Sequence, residues 1–192
     1  MRTIVFYDME FTTWPGALDN DWAEDWQHRE VVQIGALRFD LDKMQALHEF
    51  DVLVKPVLNP ELSDLFIELT GITQKDVNEK GLSFPDAYHL FTTFVGHDKT
   101  CCYGWDARVM RENLALNKMP CTDEDFDSLN IGQWFKTQGI PFGIQQNTNS
   151  GKLASTLGVQ INSIQEHNAL HDVRSIAAAY QFLIGKGVKD FF

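Results

Sequence analysis

The feature that most constrains the fold is a short, mostly apolar run that ends in acidic residues. Residues 3–8 (TIVFYD) are rich in side chains that favour β-structure. A strand with apolar side chains on both faces is typical of the buried centre of a sheet. Two further β-rich runs follow at 30–39 and 46–55, and a short polar turn separates them. We therefore predict a buried strand followed by an antiparallel hairpin.

The rest of the chain alternates predicted helices with one short strand, at 100–104. The helices are predicted at 61–69, 84–95, 105–117, 131–137, 151–157 and 169–184. Ser83 and Ser150 precede two of them as N-caps, and residues 11–29 form a long loop. This order favours a layered α/β domain around a mixed sheet. The 192 residues contain no composition break, so we expect a single domain over 1–192.

The charge balance sets one limit on function. The chain has 16 Lys and Arg residues against 27 Asp and Glu residues, so its formal net charge is −11. A protein that holds nucleic acid mainly through a broad basic surface is therefore excluded. Acidic residues gathered at a metal site also lower the net charge, so an enzyme that acts on nucleic acid remains compatible with this balance.

The cysteines and the N-terminal residues indicate a soluble, cytoplasmic protein. The three cysteines form no C-x-x-C motif, and an odd number suits reduced thiols better than a disulfide framework. Adjacent Cys101 and Cys102 would point to opposite faces of a strand as core residues. The N-terminal residues lack the apolar stretch of a signal peptide, and no apolar run reaches the roughly 20 residues that span a bilayer.

Two carboxylates come at the end of the first strand. Asp8 and Glu10 are two residues apart, and residues at that spacing point to the same face of a strand. A cation between them would relieve their repulsion, and hard carboxylate oxygens suit Mg²⁺ or Mn²⁺. The alternative is an exposed acidic strand end.

A histidine and an aspartate near the last helix form a second candidate site. If both were helical, His167 and Asp172 would diverge by about 140° around the helix axis. They can converge if His167 lies in the loop before the helix and Asp172 in its first turn, with Asn168 as the N-cap. His171 competes with His167 for the functional role, and a surface or capping histidine is the alternative for either.

Asp106 completes a set that predicts a two-metal hydrolase. It follows the predicted strand and opens a helix, where the helix dipole alone also favours an acid. Such a hydrolase needs clustered carboxylates, because one ion activates water while the other stabilises the leaving oxygen. A neutral histidine beside the water would accept its proton. The candidate catalytic residues are Asp8, Glu10, Asp106, His167 and Asp172, of which the four acids are the candidate metal ligands.

This ordered set resembles the DEDDh 3′–5′ exonuclease family. The D-x-E-x-T motif of that family stands here as Asp8 to Thr12, its second aspartate as Asp106, and its H-x-x-x-x-D motif as His167 to Asp172. The resemblance implies an RNase H-like, three-layer α/β/α fold with a central mixed sheet. It also implies two Mg²⁺ or Mn²⁺ ions per active site, a histidine general base and nucleoside 5′-monophosphates as products.

Residues 54–77 are similar to the group of this family that trims histone mRNA 3′ ends and small RNAs. The L-S-D…L-T-G-I-T run is the most specific similarity, and Trp105 before Asp106 also fits that group. This resemblance implies a single-stranded 3′ end as the partner, with RNA favoured over DNA and Trp105 stacked on the terminal base. The implied substrate contacts are Met9, Phe11, Thr12, Leu65, Leu69 and Trp105.

Other interpretations remain open at this point. A DNA-directed proofreading or repair exonuclease would have the same site, and contacts to the RNA 2′-OH would distinguish the two. An inactive nucleic-acid-binding scaffold would usually lack a site residue, and here all five are present. Trp14, Trp22 and Trp26 either stack on bases or pin their loop to the protein. Asp127 resembles a strand-end aspartate of the family and is predicted to be structural.

Overall fold

Strand β1 (Thr3–Phe11) lies in the middle of a five-stranded mixed sheet. The computed structural model describes residues 2–121, 127–137, 148–161 and 167–192. The other strands are β2 (Val31–Asp40), β3 (Gln45–Leu53), β4 (Lys99–Cys102) and β5 (Ser128–Asn130). Their order is β3-β2-β1-β4-β5, with β1 antiparallel to β2 and parallel to β4. The predicted hairpin is confirmed by the antiparallel pairing of β2 with β3.

Most of the predicted helices are present, with two corrections. The helices are α1 (Asp64–Thr70), α2 (Gln74–Lys80), α3 (Phe84–Val95), α4 (Asp106–Leu116), α5 (Ile131–Thr137), α6 (Leu153–Thr156) and α7 (Ala169–Gly185). The prediction missed α2, because its polar sequence lacks a clear apolar stripe. It also began α1 three residues too early, since Ser63 is the N-cap and accepts a hydrogen bond from the Phe66 N–H at 3.0 Å. Within the described part of the chain, no helix has both the length and the apolar character needed to cross a membrane.

Alternate side chains of β1 enter two separate cores. Phe6 packs on one face of the sheet with residues of α5, α6 and α7, whereas Tyr7 packs on the other face with residues of α3 and α4. Adjacent Cys101 and Cys102 divide between the same two cores, which confirms their predicted role. Helices therefore cover both faces of the sheet, and the architecture is the predicted three-layer α/β/α arrangement.

The long loop between β1 and β2 is held by buried polar contacts. The Trp22 indole N–H donates to the Thr12 carbonyl at 3.0 Å. The buried Arg29 guanidinium forms ion pairs with Asp21 and Glu112 at 2.9 and 2.6 Å. Because Glu112 belongs to α4, these contacts fasten the loop to the helical layer next to it.

The three tryptophans of this loop have different surroundings. Trp22 is buried, so its side chain holds the loop against the protein. This is one of the two interpretations that the sequence left open. Trp14 and Trp26 instead pack edge-to-face against each other, with ring centroids 4.9 Å apart. Trp26 is 52% exposed, so this pair lies at the surface.

Helix α7 approaches the sheet closely at a glycine. A Cβ added to Gly35 in β2 would lie 2.4 Å from the backbone of Ala169 and Leu170. Gln33, on the same face of β2, accepts a hydrogen bond from the Ala169 N–H at 2.9 Å. The first turn of α7 therefore packs so closely against β2 that position 35 has no room for a larger residue.

This close contact predicts a strong effect of a single methyl group. Gly35→Ala should lower the free energy of unfolding by about 1–3 kcal/mol or more, because the added carbon forces α7 away from the sheet. The matched control is Gly185→Ala at the end of α7, where an added Cβ meets nothing within 4 Å. The control should leave stability unchanged or slightly higher. Urea denaturation measures both variants, and equal losses of stability would contradict the packing argument.

Candidate active site

Asp8 and Glu10 lie at the C-terminal end of β1, on the side of the sheet that carries α7. Asp8 is 5% exposed and Glu10 is half-buried. In the register of the sheet, Asp8 is paired with Gly35 and Glu10 with Gln33. These are the two β2 residues that contact the first turn of α7, so both carboxylates lie beside that turn.

His167 and Asp172 reach the same place from the N-terminal end of α7. Asn168 is the N-cap, and its Oδ1 accepts a hydrogen bond from the His171 N–H at 3.3 Å. Asp172 lies in the first turn and is 2% exposed, whereas His167 precedes the cap with a φ of 58°. Ligand atoms of Glu10, His167 and Asp172 lie within 4.8 Å of one another. His167 thus lies in the loop before the helix and Asp172 in its first turn. This is the placement that was predicted to let the two side chains converge.

Asp106 joins the cluster from the junction of β4 and α4. It is 6% exposed, and its Oδ1 accepts a hydrogen bond from the Met9 backbone N–H at 3.0 Å. Because Met9 lies between Asp8 and Glu10 in β1, this bond joins the second predicted motif directly to the first.

A turn that the sequence analysis did not assign to the site supports Asp172. The Ser150 hydroxyl donates to Asp172 Oδ2 at 2.8 Å, and a Cβ added to Gly151 would lie 2.5 Å from Asp172 Oδ1. The prediction of Ser150 as an N-cap is wrong. Asn149 is the cap instead, because its Oδ1 accepts a hydrogen bond from the Lys152 N–H at 3.0 Å at the start of the 3₁₀ turn Ser150–Lys152. A short polar run before a helix predicts a cap, but it does not reveal which residue bonds to a distant carboxylate.

Burial and the charges of neighbouring carboxylates raise the pKa of Asp8, Glu10 and Asp106. Burial raises the pKa of Asp8 well above its ordinary value, and the charges of the other three acids raise it further. Burial, followed by the charges of Asp172 and Asp106, has the same effect on the pKa of Glu10. Burial raises the pKa of Asp106 to about 7, although backbone N–H groups oppose the rise. The cluster is therefore short of positive charge.

This donor set fits a divalent cation. The four acids offer hard oxygen ligands of the kind that Mg²⁺ and Mn²⁺ prefer. The raised pKa values of Asp8, Glu10 and Asp106 reflect burial and the charges of neighbouring acids, and a bound cation would favour the charged forms. The candidate metal ligands are accordingly Asp8, Glu10, Asp106 and Asp172, the residues that the sequence predicted.

Three of the predicted substrate contacts lie largely inside the protein. The Met9 side chain is 3% exposed in the core beside α3 and α4. Thr12 is 2% exposed, and its hydroxyl donates to the His28 carbonyl at 2.5 Å and accepts from the Glu30 N–H at 3.0 Å. Phe11 is half-buried and packs against the tryptophan that pins the loop. The Met9 and Thr12 side chains thus have structural contacts, and Phe11 has the greater access to a ligand.

The other three predicted contacts lie nearer the surface. Leu69 is 38% exposed and Trp105 is 40% exposed. Leu65 is half-buried, one turn before Leu69 in α1. The guanidinium carbon of Arg29 lies 5.9 Å from the centroid of the Trp105 ring. A partly exposed indole therefore directly precedes the candidate ligand Asp106.

Two further residues from the sequence analysis, Asp127 and His171, have contacts outside the carboxylate cluster. Asp127 is exposed just before β5, and its backbone carbonyl accepts a hydrogen bond from the Thr100 hydroxyl at 3.4 Å. His171 is 8% exposed, and its Nε2 lies 3.3 Å from the Gly151 carbonyl oxygen. His171 thus contacts the supporting turn, whereas His167 lies with the carboxylates.

A family model described as an exonuclease, RNase T, matches residues 5–180 of the chain. This protein belongs to the RNase T exonuclease family. The match includes all five predicted catalytic residues, and it confirms the resemblance found in the sequence. No curated protein matches this RNase T family member by sequence. Membership implies dependence on a divalent metal and a nucleic-acid substrate, in agreement with the acidic cluster.

Solved structures of 3′ exonucleases share the fold of this RNase T family member. The nuclease domain of 3′hExo, a DEDDh family member bound to rAMP, has a TM-score of 0.79 and 21% identity, covering 96% of this chain and 92% of that one. Cell-death related nuclease 4 (CRN-4) has a TM-score of 0.77 and 21% identity over 97% of this chain, which spans 65% of that nuclease. E. coli exonuclease I in complex with a dA16 oligonucleotide has a TM-score of 0.69 and 17% identity, covering 96% of this chain and 41% of that one. The predicted RNase H-like fold is confirmed.

The raised pKa of Asp106 predicts how stability responds to pH. Its folded-state pKa of about 7 lies above its ordinary value of 3.8, so between these two pH values the folded state retains a proton that the unfolded state has lost. Stability therefore falls as pH rises through this window. In EDTA, Asp106→Asn should gain stability relative to the wild type between pH 4 and about pH 7, and the gain should then level off.

Thermal unfolding of both proteins at a series of pH values measures this effect, with Asp127→Asn as the control. Millimolar Mg²⁺ should reverse the order at neutral pH, because the wild type gains a stabilising ligand that the variant binds less well. A difference in Tm between Asp106→Asn and the wild type that does not vary with pH in EDTA would contradict the prediction.

Proposed function

We propose that this protein is a metal-dependent 3′–5′ exonuclease that hydrolyses single-stranded nucleic acid, with RNA favoured, to nucleoside 5′-monophosphates. The observation that carries the proposal is the convergence of three separate motifs on one buried site. They come from the end of β1, the start of α4 and the start of α7. The fold is one that known 3′ exonucleases share.

The four acids would hold two Mg²⁺ or Mn²⁺ ions. Asp8 is central in this assignment, because its pKa is affected by the charges of all three other acids. Glu10 and Asp172 lie together with His167 on one side of the cluster. Bound ions of this kind supply Lewis acidity, which activates water and stabilises the leaving oxygen.

His167 is the proposed general base. Its side chain lies within 4.8 Å of the Glu10 and Asp172 ligand atoms, so it can take a proton from water held at that side of the site. It sits in the loop before α7 and not in the helix. His171, one residue from Asp172, is buried against the Ser150–Lys152 turn.

The substrate would lie across the open edge of this cluster. Trp105 offers a partly exposed indole for stacking on the terminal base, and Leu65 and Leu69 offer apolar contacts from α1. Such stacking is worth about 1–3 kcal/mol per base. Phe11 contributes through its half-buried ring, whereas Met9 and Thr12 would contribute through the main chain because their side chains are buried.

The preference for RNA rests on the sequence resemblance and on two of the similar structures. One is the 3′-exonuclease that recognises the histone mRNA stem-loop, with a TM-score of 0.79 and 19% identity over 96% of this chain and 82% of that one. The other is 3′hExo bound to rAMP. DNA is the alternative substrate, because E. coli exonuclease I, with the same fold, is known in complex with a DNA oligonucleotide. An inactive scaffold is disfavoured, since all five site residues are present.

Matched RNA and DNA oligonucleotides, labelled at either end, test the proposal. With Mg²⁺ or Mn²⁺, a 5′ label should appear in a ladder of shortened products, whereas a 3′ label should appear at once as a mononucleotide. RNA should be degraded faster than DNA of the same sequence. Asp8→Asn should lower kcat by at least about 10³, because the site loses its central ligand and the charge stabilisation that depends on it.

Asp127→Asn is the matched control, since it neutralises an exposed carboxylate outside the cluster and should retain wild-type activity. Activity that survives EDTA would contradict the metal assignment. Release of mononucleotides from the 5′ end would contradict the polarity.

The two neighbouring histidines should respond differently to truncation. His167→Ala should lower kcat by roughly 10²–10⁴, the usual effect of losing a general base, while metal binding stays nearly intact. His171→Ala should lower kcat less than about tenfold and should mainly lower Tm, because it removes a buried contact. Single-turnover kinetics on a short oligonucleotide, with metal affinity measured in parallel, separates these effects. A greater loss of kcat in His171→Ala would show that the base is misassigned.

A further inference from the structure

The turn that supports Asp172 also contacts His167. Asn149 Nδ2 lies 3.2 Å from His167 Nε2, and the next residue, Ser150, donates to Asp172. Two consecutive residues of this turn therefore contact the two functional side chains of the third motif. They are 18 and 22 residues away in sequence from the side chains that they contact.

The orientation of the Asn149 amide follows from its second hydrogen bond. Its Oδ1 accepts the Lys152 backbone N–H at 3.0 Å. A backbone N–H only donates, so the oxygen must face Lys152 and the NH₂ group must face His167. The amide cannot be reversed without placing two donors against each other at the cap.

This orientation determines the state of the imidazole. An NH₂ group can only donate, so His167 Nε2 is the acceptor and carries no proton in this arrangement. The neutral ring then carries its proton on Nδ1. An unprotonated nitrogen is what a general base requires.

We propose that Asn149 is a positioning residue that holds His167 in the Nδ1–H tautomer, so that Nε2 carries no proton. This inference rests on the proposed function of His167 as general base. In the reaction, a water O–H replaces the amide as the donor to Nε2. The water O–H bond breaks, the Nε2–H bond forms, and the resulting imidazolium retains its proton on Nδ1.

Asn149→Ser tests the proposal with little effect on folding. Serine is as good an N-cap as asparagine, so its hydroxyl can still accept the Lys152 N–H, but it has no NH₂ group to reach His167. The variant should lower kcat about tenfold or more, because nothing then holds Nε2 unprotonated, and losing the orienting partner of a metal-bound histidine costs about 10–100-fold. KM should change less than about threefold. Thr73→Ala, which removes the remote cap of α2, is the control and should retain wild-type kcat.

A double-mutant cycle distinguishes positioning from a general structural effect. In a His167→Ala background, Asn149→Ser should change kcat less than twofold, because the residue through which Asn149 acts is absent. An equal loss of kcat in both backgrounds would overturn the proposal. So would an unchanged kcat in Asn149→Ser alone.

NMR of the ring nitrogens provides a readout that does not depend on activity. In the wild type, His167, assigned by its absence from His167→Ala, should show a protonated Nδ1 and an unprotonated Nε2. Asn149→Ser should shift the ring toward the Nε2–H tautomer. If the wild type shows mainly the Nε2–H tautomer, the proposal is wrong. A wild type that has the Nδ1–H tautomer but degrades neither RNA nor DNA would contradict the proposed function and not the contact.

Discussion

The structure depends on keeping four like charges together in a buried place. Burial, together with the charges of neighbouring acids, raises the pKa of Asp8 and Glu10, so their charged forms are disfavoured until a cation is bound. The protein meets this repulsion with fixed donors. Asp106 accepts a main-chain N–H from β1, and Asp172 accepts the hydroxyl of Ser150. Asp106 and Asp172 are therefore positioned by groups that do not themselves carry charge.

The sheet and the last helix must meet closely for this site to exist. Asp8 and Glu10 are paired across the sheet with Gly35 and Gln33, and the same two β2 residues contact the start of α7. The distance between the first and third motifs is thus set by the contact of the main chain with a glycine. A larger residue at position 35 would change packing and metal geometry together.

The sequence predicts well those features that depend on local periodicity. The apolar run of β1 placed Asp8 and Glu10 at a strand end, and the cap at Asn168 placed the third motif across a helix boundary. The order of motifs then identified the family. Helix α2 was missed, because its polar residues carry little apolar signal even though Thr73 caps it. The roles of Asn149 and Ser150 also escaped prediction, since they depend on contacts with residues 18 and 22 positions further along the chain.

The hydrogen bond from Met9 to Asp106 has a consequence for sequence variation. Its donor is the main-chain N–H, while the Met9 side chain points away into the opposite core. Homologues are therefore free to carry any apolar residue at position 9 that fits this core without altering the second ligand. Proline is the exception, because it has no N–H to donate. The middle residue of the D-x-E motif thus carries a requirement on its backbone N–H, which a comparison of side chains alone would not reveal.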